Sequence, residues 1–275
     1  MARQLRHEHP GAVYHVTSRG NAGSPLFLDA EDELRFLGLV ERVVRSHSWI
    51  CHAYCLMGNH FHLVVETPQP NLARGMRRLN SSYAQGFNGR YGRVGHVFQG
   101  RYKAVLIEKD AHLLEVCRYV VLNPVRAGLC ARPEHWPTSS YRATAGIGLP
   151  EGFLTVDWVL SQFSERRERA RERYRAFVAE GNGAGPWGEL RGAIYLGGER
   201  FAARRSAPNQ RIPEVPRAQW RPVRRPLADL FRAHGDRAVA VAYRDEGYTM
   251  AEIADYLAVH YATVSRRLRR LEQQG

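Results

Sequence analysis

The stretch ICHAYCLMGNHFHLVVE, Ile50–Glu66, decides the architecture. Gly58-Asn59 is a hairpin turn signal between two apolar runs, so Ile50–Met57 and Phe61–Glu66 are predicted as neighbouring antiparallel strands. Upstream, AVYHVTSR (Ala12–Arg19) alternates like a strand and is broken by Gly20 and Asn21. Between them, Asp29–Ser46 carries Leu34, Phe36, Leu37, Leu39, Val40 and Val43 at helical spacing. Downstream, Asn71–Asn88 reads as a second helix and Val97–Ile107 as a strand. Asp110–Asn123 reads as a helix stopped by Pro124. The order β-α-β-β-α-β plus one helix predicts an α+β, ferredoxin-like fold, an antiparallel sheet with helices.

The rest of the chain divides by composition. After Pro137 it turns helical and charged, with RRERARERYR (Arg166–Arg175) as a packed helix carrying a solvated face. GNGAG (Gly181–Gly185) is a loop. Residues 204–226 hold five prolines and seven arginines against one acid, Glu214, and read as an extended basic linker. Leu227–Arg244 follows as a helix. Thr249 and Glu252 then form a T-x-x-E capping box that starts a helix near Met250. Ile253, Leu257, Val264 and Leu268 supply the core of two short helices joined around Ala258-Val259. The second, Tyr261–Leu271, opens with Ala262, Thr263 and Ser265 and ends with Arg266, Arg267, Arg269 and Arg270. That is a helix-turn-helix with a recognition helix suited to the major groove of duplex DNA. The expected divisions are therefore residues 1–145, a helical extension 146–203, the linker 204–226 and a helix-turn-helix domain 227–275.

Charge points the same way. In 275 residues, 40 Lys+Arg face 27 Asp+Glu, a net charge of +13, which favours a polyanionic partner such as nucleic acid. All the basic residues but Lys103 and Lys109 are arginines, a skew that coding bias explains as well as phosphate contact does. Four cysteines do not make a disulfide scaffold, and no apolar run is long enough to cross a bilayer. A cytoplasmic, nucleoid-associated protein with no membrane partner is expected.

The chemistry gathers on two segments. On the strand after the turn, His60 and His62 share one face while Phe61, Leu63 and Val65 share the other. Paired imidazoles one strand repeat apart can hold a divalent metal, although an arbitrary H-x-H is more often two surface histidines. On the later helix, Leu113, Leu114, Cys117, Val120 and Val121 form a core stripe. Tyr119 lies about 160° from its centre, on the side of His112 and Asn123. A tyrosine hydroxyl beside histidine-held metal points to phosphoryl transfer with Tyr119 as nucleophile and a covalent phosphotyrosyl intermediate. The amide oxygen of Asn123 could supply a third ligand, a set that suits Mg²⁺ or Mn²⁺ at least as well as zinc.

YHVTSRGN (Tyr14–Asn21), MGNHFHLVVE (Met57–Glu66), GHVFQGRYKAVLIE (Gly95–Glu108) and RYVVLNPVRAGL (Arg118–Leu129) together resemble the REP-associated tyrosine transposases. These are single-tyrosine members of the HUH superfamily, in which U is a bulky apolar residue. The likeness is strong over about the first 145 residues and looser beyond. It implies a catalytic domain that cuts and rejoins single-stranded DNA near REP-like hairpin repeats, needs a divalent metal and uses no ATP. By motif position Tyr119 is the nucleophile, His60 and His62 bind metal and Asn123 is the third ligand, where relatives often have Gln. The helix-turn-helix departs from the minimal family pattern and implies a second contact, with duplex DNA. A monomer or a homodimer is compatible with the sequence.

The expected DNA contacts are Arg19, Asn21, Arg74, Arg77, Arg78, Arg101, Tyr102, Lys103, Thr263, Ser265, Arg266 and Arg267. On the second helix the arginines stand among Tyr83, Phe87 and Tyr91, a mixture that suits single strands and that ordinary packing explains equally well. Glu66 and Asp110 read as a strand end and a helix N-cap. Cys51 and Cys55, four positions apart and so expected on one strand face, could join the histidines in a zinc-stabilised interaction module; free buried thiols are the simpler reading. A regulator that keeps the fold without cleaving DNA is the other alternative.

Overall fold

The computed structural model describes residues 7–181, 185–205, 224–246 and 248–273. They form two compact units, one over residues 8–188 and one of residues 1–7 with 189–275.

The first unit is built on four strands, β1 (Ala12–Arg19), β2 (Ile50–Met57), β3 (His60–Thr67) and β4 (Lys103–Ile107), in the order β2-β3-β1-β4. All neighbours run antiparallel. Helices α1 (Ala30–His47), α2 (Leu72–Tyr91) and α3 (Lys109–Arg126) complete the predicted ferredoxin-like α+β arrangement. Strict alternation along β3 decides which face each helix covers. Phe61, on the odd face, packs 4.6 Å from Phe36 of α1, which in turn meets Tyr83 of α2 at 5.1 Å. His62, on the even face, meets Tyr119 of α3. Both faces are thus buried, and the sheet separates a pure packing layer from a polar one. Gly75 lets α2 approach the sheet end, since a Cβ there would lie 2.2 Å from the Trp49 ring.

Three local readings are corrected. β4 is only five residues long; Val97–Tyr102 instead runs beside the end of β1, through a bridge between Gly20 and Phe98. Helix α3 does not stop before Pro124 but continues to Arg126. Proline has no N–H to give the Val120 carbonyl. The Asn123 side-chain amide reaches back to that oxygen at 3.3 Å and to the Tyr119 carbonyl at 2.9 Å, which patches the interrupted ladder. Finally, a β-bulge between Cys51 and Ala53 places Cys51 opposite Val65 and Cys55 opposite His62. The thiols expected on one face therefore lie on opposite faces. Both are buried, and burial raises the Cys51 thiol to about 12.

The outer edge of β2 is occupied by later chain. Thr138 accepts from the Leu56 N–H, Ser140 bonds to the Tyr54 backbone in both directions, and Thr155 donates to the Cys51 carbonyl. Helices α4 (Tyr141–Thr144), α5 (Asp157–Ser161) and α6 (Arg167–Ala179) follow; α6 buries Ala170, Tyr174 and Val178 and exposes its charged residues except the half-buried Arg171.

The second unit opens with a short hairpin, β5 (Leu190–Arg191) and β6 (Tyr195–Leu196), and helix α7 (Glu199–Arg205). Most of the basic linker lies outside the described residues. Beyond it, the predicted helix 227–244 is two helices, α8 (Leu227–His234) and α9 (Ala238–Arg244). Gly235, at φ 50° and ψ −129°, breaks them, a backbone state open essentially to glycine alone. Helix α10 (Met250–Tyr256) starts at the expected capping box, with both of its hydrogen bonds formed. Ala258 turns in the left-handed region and α11 (Tyr261–Gln273) follows. Leu230, Val239, Ala242, Ile253, Ala254, Val264 and Leu268 make one core.

Candidate active site

The even face of β3 is the candidate site. Register sets Thr17 opposite His62 and Arg19 opposite His60, and on the other side Cys55 opposite His62. His15 therefore shares this face on the neighbouring strand. Its Nε2 lies 2.9 Å from Nδ1 of His62, with the two rings almost parallel. The His60 and His62 ring centres are 5.0 Å apart. His60 Nδ1 lies 2.7 Å from the Asn59 side-chain oxygen, and that amide is oriented by donating to the Gly23 carbonyl at 3.2 Å.

Burial keeps these rings neutral. It lowers His15 to about 3 and, with His15 and His60 close by, holds His62 well below the ordinary histidine value. His60 is lowered by burial and by the Arg19 charge. Neutral imidazoles retain the lone pair a metal needs. Nε2 of His62 is buried and has no hydrogen-bond partner, the kind of orphaned atom a ligand would satisfy. The donor set fits a divalent cation at His60 and His62, although among the described residues no three His, Cys, Asp or Glu side chains are placed to hold one ion together. Any further ligand must be an amide, a hydroxyl, water or substrate oxygen.

Helix α3 brings Tyr119 to this face. Its ring stands edge-on to His62 at 6.2 Å and to His15 at 6.1 Å. Arg126, two turns along the same helix, lies 4.9 Å over the ring, and Trp187 packs edge-on at 5.0 Å. Asn123 keeps its nitrogen on the backbone of α3, so Oδ1 is the atom left for other partners. Sequence reasoning brought together His60, His62 and Tyr119 and passed over His15, Arg126 and Trp187. The alternation in AVYHVTSR held the signal for His15; Arg126 lies one helical heptad from Tyr119. Trp187 had no local signal.

The expected DNA contacts fall into three groups. Arg19, Asn21, Arg101 and Lys103 are exposed toward one end of the sheet, where Asn21 N–H donates to Val97 and Gln99 N–H to Arg19. Tyr102 is buried. Arg74, Arg77 and Arg78 are exposed on α2, the helix on the opposite face of the sheet, and the aromatic residues Tyr83 and Phe87 beside them are core. In the second unit, Arg266 and Arg267 are exposed and Thr263 and Ser265 half-buried on α11. Glu66 pairs with Lys109 at 2.7 Å and His52 at 3.1 Å, tying the end of β3 to the start of α3. Glu108, not Asp110, is the N-cap of α3.

Residues 10–123 match the family model described as "Transposase IS200 like", and residues 234–275 the one described as "Homeodomain-like domain". Among solved structures, a REP-associated tyrosine transposase bound to a REP hairpin is similar at 19% identity. The match covers 57% of this chain and 91% of that one, with a TM-score of 0.47. The tRNA(His) guanylyltransferase from Saccharomyces cerevisiae is similar at 9% identity, over 69% of this chain and 86% of that one, with a TM-score of 0.31. No curated protein sequence matches the chain. No described helix is long and apolar enough to cross a membrane.

Proposed function

We propose that this chain, with its IS200-like transposase domain at residues 10–123 and homeodomain-like domain at residues 234–275, cuts and rejoins single-stranded DNA through Tyr119. The observation that carries the reading is Tyr119 standing 6.2 Å from His62 on the face that also bears His60. The motifs shared with the REP-associated tyrosine transposases support REP-like hairpin repeats as the substrate. They also support the division of the chain into a catalytic domain, a helical extension, a basic linker and a helix-turn-helix.

The phenol oxygen of Tyr119 attacks the scissile phosphorus; an O–P bond to tyrosine forms as the ester bond to a sugar oxygen breaks, and the tyrosine proton ends on the released hydroxyl. The ester is kept as a phosphotyrosine, so a sugar hydroxyl can reverse the step and rejoin DNA without ATP. Mg²⁺ or Mn²⁺ held by His60 and His62, with Oδ1 of Asn123 as third ligand, would neutralise charge developing on the phosphate. Arg126 sits where its guanidinium can meet a phosphate oxygen beside the tyrosine. Arg19, Asn21, Arg101 and Lys103 line the approach for the strand, and Thr263, Ser265, Arg266 and Arg267 face duplex DNA from the recognition helix. Nucleic acid as the partner of both domains supports a cytoplasmic, nucleoid-associated protein.

The test incubates wild type and Tyr119→Phe with end-labelled single-stranded hairpin oligonucleotides, Mg²⁺ or Mn²⁺, and an EDTA control. The expected result is a denaturant-stable protein–DNA adduct that requires both Tyr119 and metal, with at least a 1,000-fold loss in Tyr119→Phe, on the order expected when a nucleophile is removed. An adduct in Tyr119→Phe would assign another nucleophile. Hairpin binding with no adduct would make the protein a non-cleaving regulator.

A further inference from the structure

We propose that His15 is a positioning residue for the histidine pair: it accepts the Nδ1 hydrogen of His62 and so holds that ring in the tautomer whose Nε2 presents a bare lone pair to a divalent cation. The cation part rests on the reading of His60 and His62 given above; the tautomer part stands on geometry alone.

One hydrogen lies between Nε2 of His15 and Nδ1 of His62, 2.9 Å apart. If His15 supplied it, His62 would carry its own hydrogen on Nε2. That atom is buried and has no hydrogen-bond partner, so an N–H would be stranded there. Stranded buried N–H groups are among the rarest features of folded proteins, and unfilled acceptors are less costly. With the hydrogen on Nδ1 of His62, Nε2 becomes an acceptor, the form in which imidazole ligates metal.

His60 is set the same way by a different acceptor. The Asn59 amide is fixed by its own donation to Gly23, so the atom 2.7 Å from Nδ1 of His60 is an oxygen, which can only accept. Both histidines are therefore gripped at Nδ1 from outside and offer Nε2 inward. A second group that orients a ligand in this manner is a general need of metal sites, and its loss typically weakens binding about 10- to 100-fold. His15 is itself held, with Trp187 at 5.3 Å and Tyr119 edge-on at 6.1 Å. Because Nε2 of His15 accepts from His62, its own ring hydrogen is on Nδ1, and the neutral ring has no lone pair left to be a third ligand. Its place follows from strand register: it lies opposite Val64, one diagonal step from His62 on the same face.

The experiment uses the full chain with ¹⁵N-labelled histidine. Long-range ¹H–¹⁵N correlation without metal is expected to show His62 as the Nδ1–H tautomer. His15→Phe, which fills the space without an acceptor, should lose that tautomer, and His15→Gln, whose amide oxygen reaches the position of Nε2, should restore it. Mn²⁺ binding followed by electron paramagnetic resonance should weaken about 10- to 100-fold in His15→Phe and recover to within a few-fold of wild type in His15→Gln. An Nε2–H tautomer of His62 in wild type, or Mn²⁺ affinity that is weakened by His60→Ala but equal in wild type and His15→Phe, would overturn the proposal. His60→Ala separates the two readings. If its Mn²⁺ affinity equals that of wild type while the Nδ1–H tautomer is seen, the metal reading fails and the positioning of His62 by His15 survives.

Discussion

The face of β3 and the helix-turn-helix are built for their proposed work on DNA by opposite means. On the sheet, His15 and His62 are buried and tied to each other, and what matters is the placement of single atoms. On α11, Arg266 and Arg267 are exposed and charge alone suits them to phosphates, while the core beneath, Ile253, Val264 and Leu268, only has to hold a helix in place. A catalytic centre needs fixed tautomers and distances held to within about 0.5 Å. A groove-binding helix tolerates more, because each phosphate contact contributes a similar increment.

The sharpest way to break this contrast is to remove one support at a time. Ile253→Ala in the small C-terminal core should cost about 2–5 kcal/mol and unfold that unit. Circular dichroism should show the lost helix, while Tyr119 still forms its adduct with single-stranded hairpins. Loss of the adduct would show that the two regions do not act separately. A smaller change, Thr249→Ala, deletes the oxygen that caps α10 and should cost about 1 kcal/mol, read as a lowered unfolding midpoint with duplex binding retained.

Acid should separate the units more gently. In the metal-free protein the folded His15 takes a proton only near pH 3, against an ordinary value of 6.5, because burial disfavours its charge. The unfolded chain is thus the first to bind that proton, so His15 stabilises the fold fully above 6.5 and its contribution falls as the pH drops from there toward 3. His62 acts in the same direction. In the helix-turn-helix, burial alone would raise Glu252, but Arg224 and the Thr249 cap outweigh it and leave the carboxyl lowered. Its contribution is present above the ordinary value of 4.5 and is lost only as the pH falls below it. Acid titration followed by tryptophan fluorescence in a Trp220→Phe background, which leaves Trp49, Trp136, Trp158 and Trp187 of the sheet unit as the probes, should show weakening between pH 6.5 and 4.5 while the helical signal of the C-terminal unit holds. Coincident weakening of both would break the contrast.

What the sequence disclosed follows the same line. Elements set by local rules were legible: β1 and β2 begin and end where alternation and turn residues put them, and α10 starts at its capping box. The order of elements was enough for the ferredoxin-like sheet. Features set by a single residue working against the local pattern were not. Pro124 sits inside α3 because a side chain from the preceding residue repairs the missing rung. His52 adds one residue to β2 and turns Cys51 away from Cys55. Gly235 breaks a helix whose apolar spacing runs straight through it. The site divides likewise: His60, His62 and Tyr119 stood in recognisable patterns, whereas His15 depends on cross-strand register and Trp187 on chain that returns from far along the sequence.

The filled outer edge of β2 has a consequence for self-association. A bare edge strand is a template on which another molecule's strand can add, the usual route both to sheet-extended dimers and to aggregation. Here Thr138, Ser140 and Thr155 already take the backbone groups of Cys51, Tyr54 and Leu56. Two copies cannot fuse their sheets across this margin, so any dimer this protein forms must be joined at another surface.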